Sequence, residues 1–218
     1  MLRADSPVTA AGPDFSYELR AFARGARHVA GVDEAGRGPL AGPVVVAAVV
    51  LDRQVIPDGL DDSKKLSARQ REELYELIVA TAQVAVVTAP PGIILTRNIR
   101  GATLWAMARA VHALAVMPDH VLIDGRDVPP GLPAPGEAVI GGDAASFSIA
   151  AASIVAKVTR DRMCQIMHCD EPVFGFAGHK GYSSPQHLAA LHQHGPGRHH
   201  RMDFAPCLEA RARRLVLA

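Results

Sequence analysis

Cysteine is scarce in this chain: three residues in 218, Cys164, Cys169 and Cys207, odd in number and without CxxC spacing. That excludes a disulfide scaffold and a cysteine-based zinc site, and it fits a reducing compartment. Long apolar runs are missing too. The longest, Pro43 to Leu51, is strand-length, far short of the roughly 20 residues a membrane span requires. Charge of one sign is in no excess, with 23 Lys and Arg against 22 Asp and Glu, so nothing global advertises a polyanionic partner. The opening segment carries acids and no continuous apolar stretch, so it does not read as a secretory signal, and a cytoplasmic location is the expectation. Internal repeats and low-complexity tracts are absent from the sequence.

What is present is an ordinary globular composition, 49% hydrophobic and 21% charged, at a length that suits one domain with a sizeable core. Residues 1–27 are expected to be a flexible tail and 28–218 a single domain, helical from about 172 onward. Strands are predicted at His28–Asp33, Pro43–Leu51, Gln83–Thr88, His120–Asp124 and Ala138–Gly141. The second, PVVVAAVVL, is apolar on both faces and belongs in the centre of a sheet. Helices are predicted after a Ser67 cap, over Thr103–Met117 to a stop at Pro118, over Phe147–Met167, over Ser184–His194 and from about Pro206. Pro90-Pro91-Gly92 reads as a chain break, and the proline-rich Asp127–Gly136 as a surface loop. This order predicts an α/β fold, a mixed central sheet flanked by helices with a helical C-terminal portion.

Chemistry concentrates at strand ends. Asp33 and Glu34 are adjacent carboxylates closing the first strand, immediately before Gly36-Arg37-Gly38. Asp124 closes HVLID before Gly125, and Asp143 follows the short strand and precedes the alanine-rich helix. Unpaired carboxylates buried together would repel and neutralise, whereas a divalent cation keeps them ionised. Oxygen donors suit Mg²⁺ or Mn²⁺, and the reaction class they suggest is two-metal phosphoryl-oxygen chemistry. Both Asp33 and Glu34 reach one centre only if the pleat breaks at the strand end, a break the two glycines invite. Any single Asp-Gly at a strand end is more commonly a turn residue than a ligand, and only the repetition argues for a site. A dinucleotide-binding turn is excluded, because the chain after Gly42 continues as strand rather than opening a helix.

Gly31-Val32-Asp33-Glu34-Ala35-Gly36-Arg37-Gly38-Pro39-Leu40-Ala41-Gly42-Pro43-Val44 closely resembles the opening motif of the ribonuclease HII family. Asp62-Ser63-Lys64-Lys65-Leu66, Ile123-Asp124-Gly125, Gly142-Asp143, the helix from Ser148 to Asp161, Gly175-Phe176 and His179-Lys180-Gly181-Tyr182 resemble further family motifs, in order, over about residues 28–207. The resemblance implies an RNase H-like fold and an endonuclease. Its partners would be RNA·DNA hybrids and duplex DNA bearing single ribonucleotides, cut 5′ to the ribonucleotide to leave 3′-hydroxyl and 5′-phosphate ends. It implies Asp33, Glu34, Asp124 and Asp143 as the catalytic, metal-binding set for two Mg²⁺ or Mn²⁺ ions. It also implies that Gly36, Arg37 and Gly38 contact the ribose 2′-hydroxyl and nearby backbone, and that Tyr182 packs on the sugar at the RNA-to-DNA junction. Lys64 and Lys65 are taken as phosphate contacts, or else as a solvated loop. Asp161 would orient a neighbour or form a helix-surface ion pair. With no N-terminal substrate-binding domain before the first strand, type HII fits better than the related HIII, and a monomer is expected.

Two departures from the family pattern stand out: Gly141 where members commonly carry a basic residue, and Pro91-Gly92-Ile93-Ile94 where an acid is expected before Asn98. From His179 onward six Lys or Arg face two acids, which suits one wall of a phosphate groove or a solvated helical face. His187, His192, His194, His199 and His200 crowd one region but lack i, i+4 ligand spacing, so surface packing or phosphate contact is predicted for them rather than a metal. Two other classes compete: a module that binds hybrids without cutting, and another two-metal phosphohydrolase on the same fold acting on DNA. Carboxylates near phosphates weaken a pure binder, which favours the nuclease.

Overall fold

The computed structural model describes residues 12–216. In chain order the elements are α1 (Ser16–Ala23), β1 (Val29–Ala35), β2 (Val44–Val50), α2 (Ala68–Thr81), β3 (Gln83–Ala89), α3 (Pro91–His112), β4 (His120–Asp124), β5 (Gly136–Val139), α4 (Phe147–Asp170), α5 (Phe176–His179), α6 (Pro185–His194) and α7 (Ala205–Val216). The strands form one mixed sheet in the order β3-β2-β1-β4-β5. β2 runs antiparallel to both β1 and β3, whereas β1, β4 and β5 are parallel.

Every residue of β2 is buried, as its valine-rich, non-alternating sequence demands. On one face Val32, Val46 and Ile123 pack with Ile94, Ala106 and Met107 of α3. On the other, Ala47 and Val49 meet Leu74 and Ile78 of α2 and Ile154 and Val155 of α4. Helix α4 approaches β1 so closely that a Cβ at Gly31 would overlap the Ser148 backbone. The small residues Ala150, Ala151 and Ala152 are fully buried along that contact. Ser67 opens α2 with a reciprocal capping box: its Oγ accepts from the Gln70 N–H (3.3 Å), and Gln70 Oε1 accepts from the Ser67 N–H (2.9 Å).

Four local expectations need correction. Residues 16–23, expected within a flexible tail, form α1, because the Glu18 side chain is buried against the start of α4; residues 1–11 of that tail lie outside the described residues. Pro90-Pro91-Gly92 does not break the chain but starts α3, since proline at the first helical position loses no hydrogen bond. Helix α3 is kinked at Asn98 (φ 54°), whose side chain accepts from the Gly101 N–H at 3.0 Å and caps the second segment. That second segment ends at His112 rather than Met117, and the Val116 N–H is taken by the Gln83 side chain (3.0 Å). Finally, β5 lies two residues earlier than predicted, so Asp143 sits in a 3₁₀ turn (Gly142–Ala144) between β5 and α4 rather than on a strand end.

Candidate active site

The parallel pairing of β1 with β4 carries two of the acids to the same end of the sheet, at the C-terminal ends of two central strands. Val32 pairs with Ile123, and Asp33 and Asp124 are the next residue on each strand. Asp33 is only 4% exposed. Its Oδ1 accepts from the Glu34 N–H at 2.7 Å, and the Ser153 hydroxyl of α4 also bonds it. Ser153 in turn shares a hydrogen bond with Ser63 at 2.9 Å. Asp124 Oδ1 accepts from the Gly142 N–H at 2.7 Å, which ties the end of β4 to the turn carrying Asp143. Glu34 lines a small cleft with Asp124, Arg37, Arg100, Thr103 and Arg126.

The expected break of the pleat between Asp33 and Glu34 does not occur. β1 stays in register with β2 through Ala35, and the chain turns only at Gly36 (φ 95°). Asp33 and Glu34 therefore leave opposite faces of the strand, Asp33 buried toward α4 and Glu34 toward the cleft. They are joined electrostatically at the end of the strand nonetheless. Burial pushes the Asp33 carboxyl well above its usual range, and Glu34 and Asp124 push it further. Burial, then Asp124, raise Glu34 despite the guanidinium of Arg37, whose Nη1 lies 3.5 Å from Oε1. Asp124 is raised by burial and by Asp143.

Positive charge answers this at one point above all. Lys64 Nζ donates to Asp143 Oδ2 at 2.6 Å and lies 3.4 Å from Asp62. Burial opposes its charge, but Asp143, Asp62 and Asp33 outweigh that and hold the ammonium protonated beyond the ordinary lysine range. Among the described residues no three His, Cys, Asp or Glu side chains are placed so that they could hold a metal ion together. Lys64 instead supplies the local positive charge, bonded to Asp143 and felt electrostatically by Asp33, Glu34 and Asp124. A set of oxygen donors that destabilise one another, with a cation already bonded to one of them, fits hard divalent ions.

The remaining predicted residues divide. Tyr182, 49% exposed, stands beside the Gly36–Gly38 loop, its Cε1 3.7 Å from where a Gly38 Cβ would lie. Lys65 is not at the acids: its Nζ pairs with Asp61 at 3.0 Å in an exposed loop. Asp161 forms an ion pair with Lys157 (2.6 Å) along α4. Gly141 takes up the left-handed turn (φ 64°) that leads into Asp143. Surface packing fails for His187 and His200, which are fully buried with Nε2 atoms 3.0 Å apart. Arg201, counted above with the solvated charges, is fully buried too, as is Arg160 of α4. Ser63, Ser153 and Arg100 were not singled out by the sequence; Ser63 could have been, since it sits inside the Asp62–Leu66 motif beside Lys64.

Comparison with known proteins points to one family. The family model described as Ribonuclease HII matches residues 30–207. Ribonuclease HII of Rhizobium johnstonii is 57% identical over 194 residues, covering 89% of this chain and 85% of its own. The crystal structure of ribonuclease H2 from Pyrococcus horikoshii OT3 superposes with a TM-score of 0.76 at 30% identity, over 85% of this chain and 98% of that one. A Bst-RNase HIII structure in complex with Mn²⁺, 20% identical, shares the fold with a TM-score of 0.64 over 95% of this chain and 76% of its own.

Proposed function

The chain belongs to the ribonuclease HII family, endonucleases acting on RNA·DNA hybrids, and from that premise we propose that it also cuts duplex DNA 5′ to single embedded ribonucleotides, leaving 3′-hydroxyl and 5′-phosphate ends. The observation that carries this reading is the crowding of Asp33, Glu34, Asp124 and Asp143 at one end of the sheet, where burial and mutual repulsion disfavour their charge. Asp33, Glu34, Asp124 and Asp143 would hold two divalent ions, Mg²⁺ or Mn²⁺, with Asp33 and Glu34 serving them from opposite faces of the unbroken strand, and the Mn²⁺ bound by the related HIII protein supports that class of ion. Such ions supply activation of water and neutralisation of charge on the scissile phosphate.

The chain's own groups do the rest. Asp33 and Asp124 are held by the Glu34 and Gly142 N–H groups, so their oxygens are fixed before substrate arrives. Lys64, displaced from Asp143 by a stronger cation, would be free to meet a phosphate oxygen. Gly36–Gly38 would approach the 2′-hydroxyl, the one group that distinguishes a ribonucleotide from its deoxy neighbours. Tyr182 would offer its exposed ring to the adjoining sugar.

The test is cleavage of a duplex with one ribonucleotide in Mg²⁺, Mn²⁺ or EDTA, beside an all-DNA duplex and Asp33→Asn. Metal-dependent cutting 5′ to the ribose, lost in the variant and absent on all-DNA, is expected. Binding without cutting in either metal would overturn the reading in favour of a hybrid-binding module.

A further inference from the structure

The loop from Gly36 to Pro43 is held from beneath by two buried arginines. Arg160 is 1% exposed and Arg201 is 0% exposed. Arg201 donates through all three of its nitrogens to loop carbonyls: Nε to Gly42 (2.9 Å), Nη1 to Arg37 (2.7 Å) and Nη2 to Gly36 (2.5 Å). Arg160 adds Nε to the Pro43 carbonyl (3.2 Å) and Nη2 to that of Ala41 (3.3 Å). The backbone of Arg201 joins in, its N–H donating to the Leu40 carbonyl at 2.8 Å. These side-chain bonds all end on carbonyls rather than carboxylates, so the positive charge beneath the loop is not neutralised by them. Loop and arginine also fit by shape: a Cβ on Gly36 would overlap the Arg160 side chain.

A buried guanidinium is a poor device for stability alone, because an apolar side chain of similar volume fills such a space without the desolvation penalty. What the fork contributes is direction. In a trans peptide the carbonyl and the following N–H point opposite ways. Drawing the Gly36 and Arg37 carbonyls down onto Arg201 therefore turns the N–H groups of Arg37 and Gly38 up, away from the guanidinium. Neither N–H enters a backbone hydrogen bond among the described residues. The result is two free donors on the outer side of a loop with two cations underneath, a setting made for an oxyanion or a hydroxyl. Tyr182 belongs to the same assembly, with the Arg160 guanidinium 5.9 Å from its ring centroid.

We propose that Arg160 and Arg201 are the positioning residues of ribose recognition, fixing the 36–43 carbonyls inward so that the Arg37 and Gly38 N–H groups meet the ribonucleotide and its flanking phosphate. This rests on the reading above that the Gly36–Gly38 loop meets the ribonucleotide. It assigns to the buried pair the discrimination between ribose and deoxyribose, not the metal chemistry.

The test measures binding in Ca²⁺ to a duplex with one ribonucleotide and to its all-DNA counterpart, for wild type, Arg201→Met, Arg201→Lys and Arg160→Lys, at temperatures where each is folded. Arg201→Met is expected to reduce the ribose preference, the ratio of the two affinities, about tenfold, the weight of one lost charge-assisted hydrogen bond, while the all-DNA affinity, which keeps only the flanking-phosphate contact, falls far less. A purely structural role would lower both affinities together. The lysine variants keep the buried charge without the fork, so they remain informative should Arg201→Met not fold, and they too are expected to lose ribose preference. Full preference in the folded lysine variants would overturn the clamp. A wild-type protein with no ribose preference would overturn the functional reading and the clamp with it.

Discussion

An ionised carboxylate at Asp33 sits almost out of water, with Glu34 and Asp124 pressing further negative charge on it. A carboxyl raised in this way is favoured by the fold only when protonated, so its ionised form destabilises the metal-free protein as pH rises past the ordinary aspartate range. Asp33→Asn is accordingly expected to raise the melting temperature in EDTA by about 2–4 °C, the shift that roughly 1 kcal/mol produces in a chain of this size, while abolishing cleavage. Calorimetry in EDTA checks this; a lower melting temperature with activity retained would contradict it. The buried histidines act in the opposite sense. His200 Nδ1 accepts from the Gly197 N–H, so its Nε2 carries the proton and donates to His187 Nε2, and His187 Nδ1 donates to the Tyr182 carbonyl. Both rings must be neutral for this chain to close. Burial, then His187, push His200 down to about 4, and burial lowers His187 as well. The unfolded chain takes these protons first, so stability falls as pH drops below the ordinary histidine value. Urea unfolding should show a loss on the order of 2 kcal/mol for His200 between pH 7 and pH 5, and His200→Asn should flatten that slope.

Helix α1 braces the start of the helix that follows Asp143. Glu18 Oε1 accepts from the Ser146 hydroxyl (2.6 Å) and the Ser148 N–H (2.8 Å), placing a carboxylate at the N-terminus of α4, just after the turn that bears Asp143. The Asp14 backbone pairs on either side of Ser146, its carbonyl accepting from the Phe147 N–H (3.0 Å) and its N–H donating to the Ala145 carbonyl (3.3 Å). Glu18→Ala is expected to cost about 1–3 kcal/mol, since the Ser146 and Ser148 donors lose a buried charged acceptor, and to speed amide exchange at the start of α4. Unchanged stability and exchange would contradict this tie. Its invisibility in the sequence is instructive. Strands β2 and β4 were legible because Val44–Val50 and His120–Asp124 are short, largely apolar runs, and α2 because Ser67 and Gln70 cap it locally. Helix α1 owes its place to Ser146 and Ser148, 128 and 130 residues further along the chain, and the kink in α3 to one asparagine side chain.

Across the whole molecule the same division holds for chemistry. Asp33, Glu34, Asp124 and Asp143 stand out in the sequence because acids recur at successive predicted strand ends, and the family resemblance points to the same four. Arg160 and Arg201 do not, because an arginine in a polar run reads as solvated until the fold buries it beneath Gly36–Pro43. Lys65, paired in the sequence with its neighbour Lys64, turns to Asp61 in an exposed loop, while Lys64 turns to Asp143. The sheet order explains why distant acids meet at all. β1 lies between β2 and β4, the parallel β1–β4–β5 run brings Asp33, Glu34 and Asp124 to the C-terminal end of neighbouring strands, and the turn after β5 delivers Asp143.

If the four carboxylates work as one unit, their losses cannot add. The decisive measurement is the single-turnover cleavage rate of a duplex with one ribonucleotide in Mn²⁺ for Asp33→Asn, Asp124→Asn and the double variant. The account predicts that each single change lowers the rate by about a thousandfold or more and that the double variant is scarcely slower than the worse single, as groups that act together behave. Losses that multiply in the double variant, or a single variant that still cuts at near wild-type rate, would contradict a shared site.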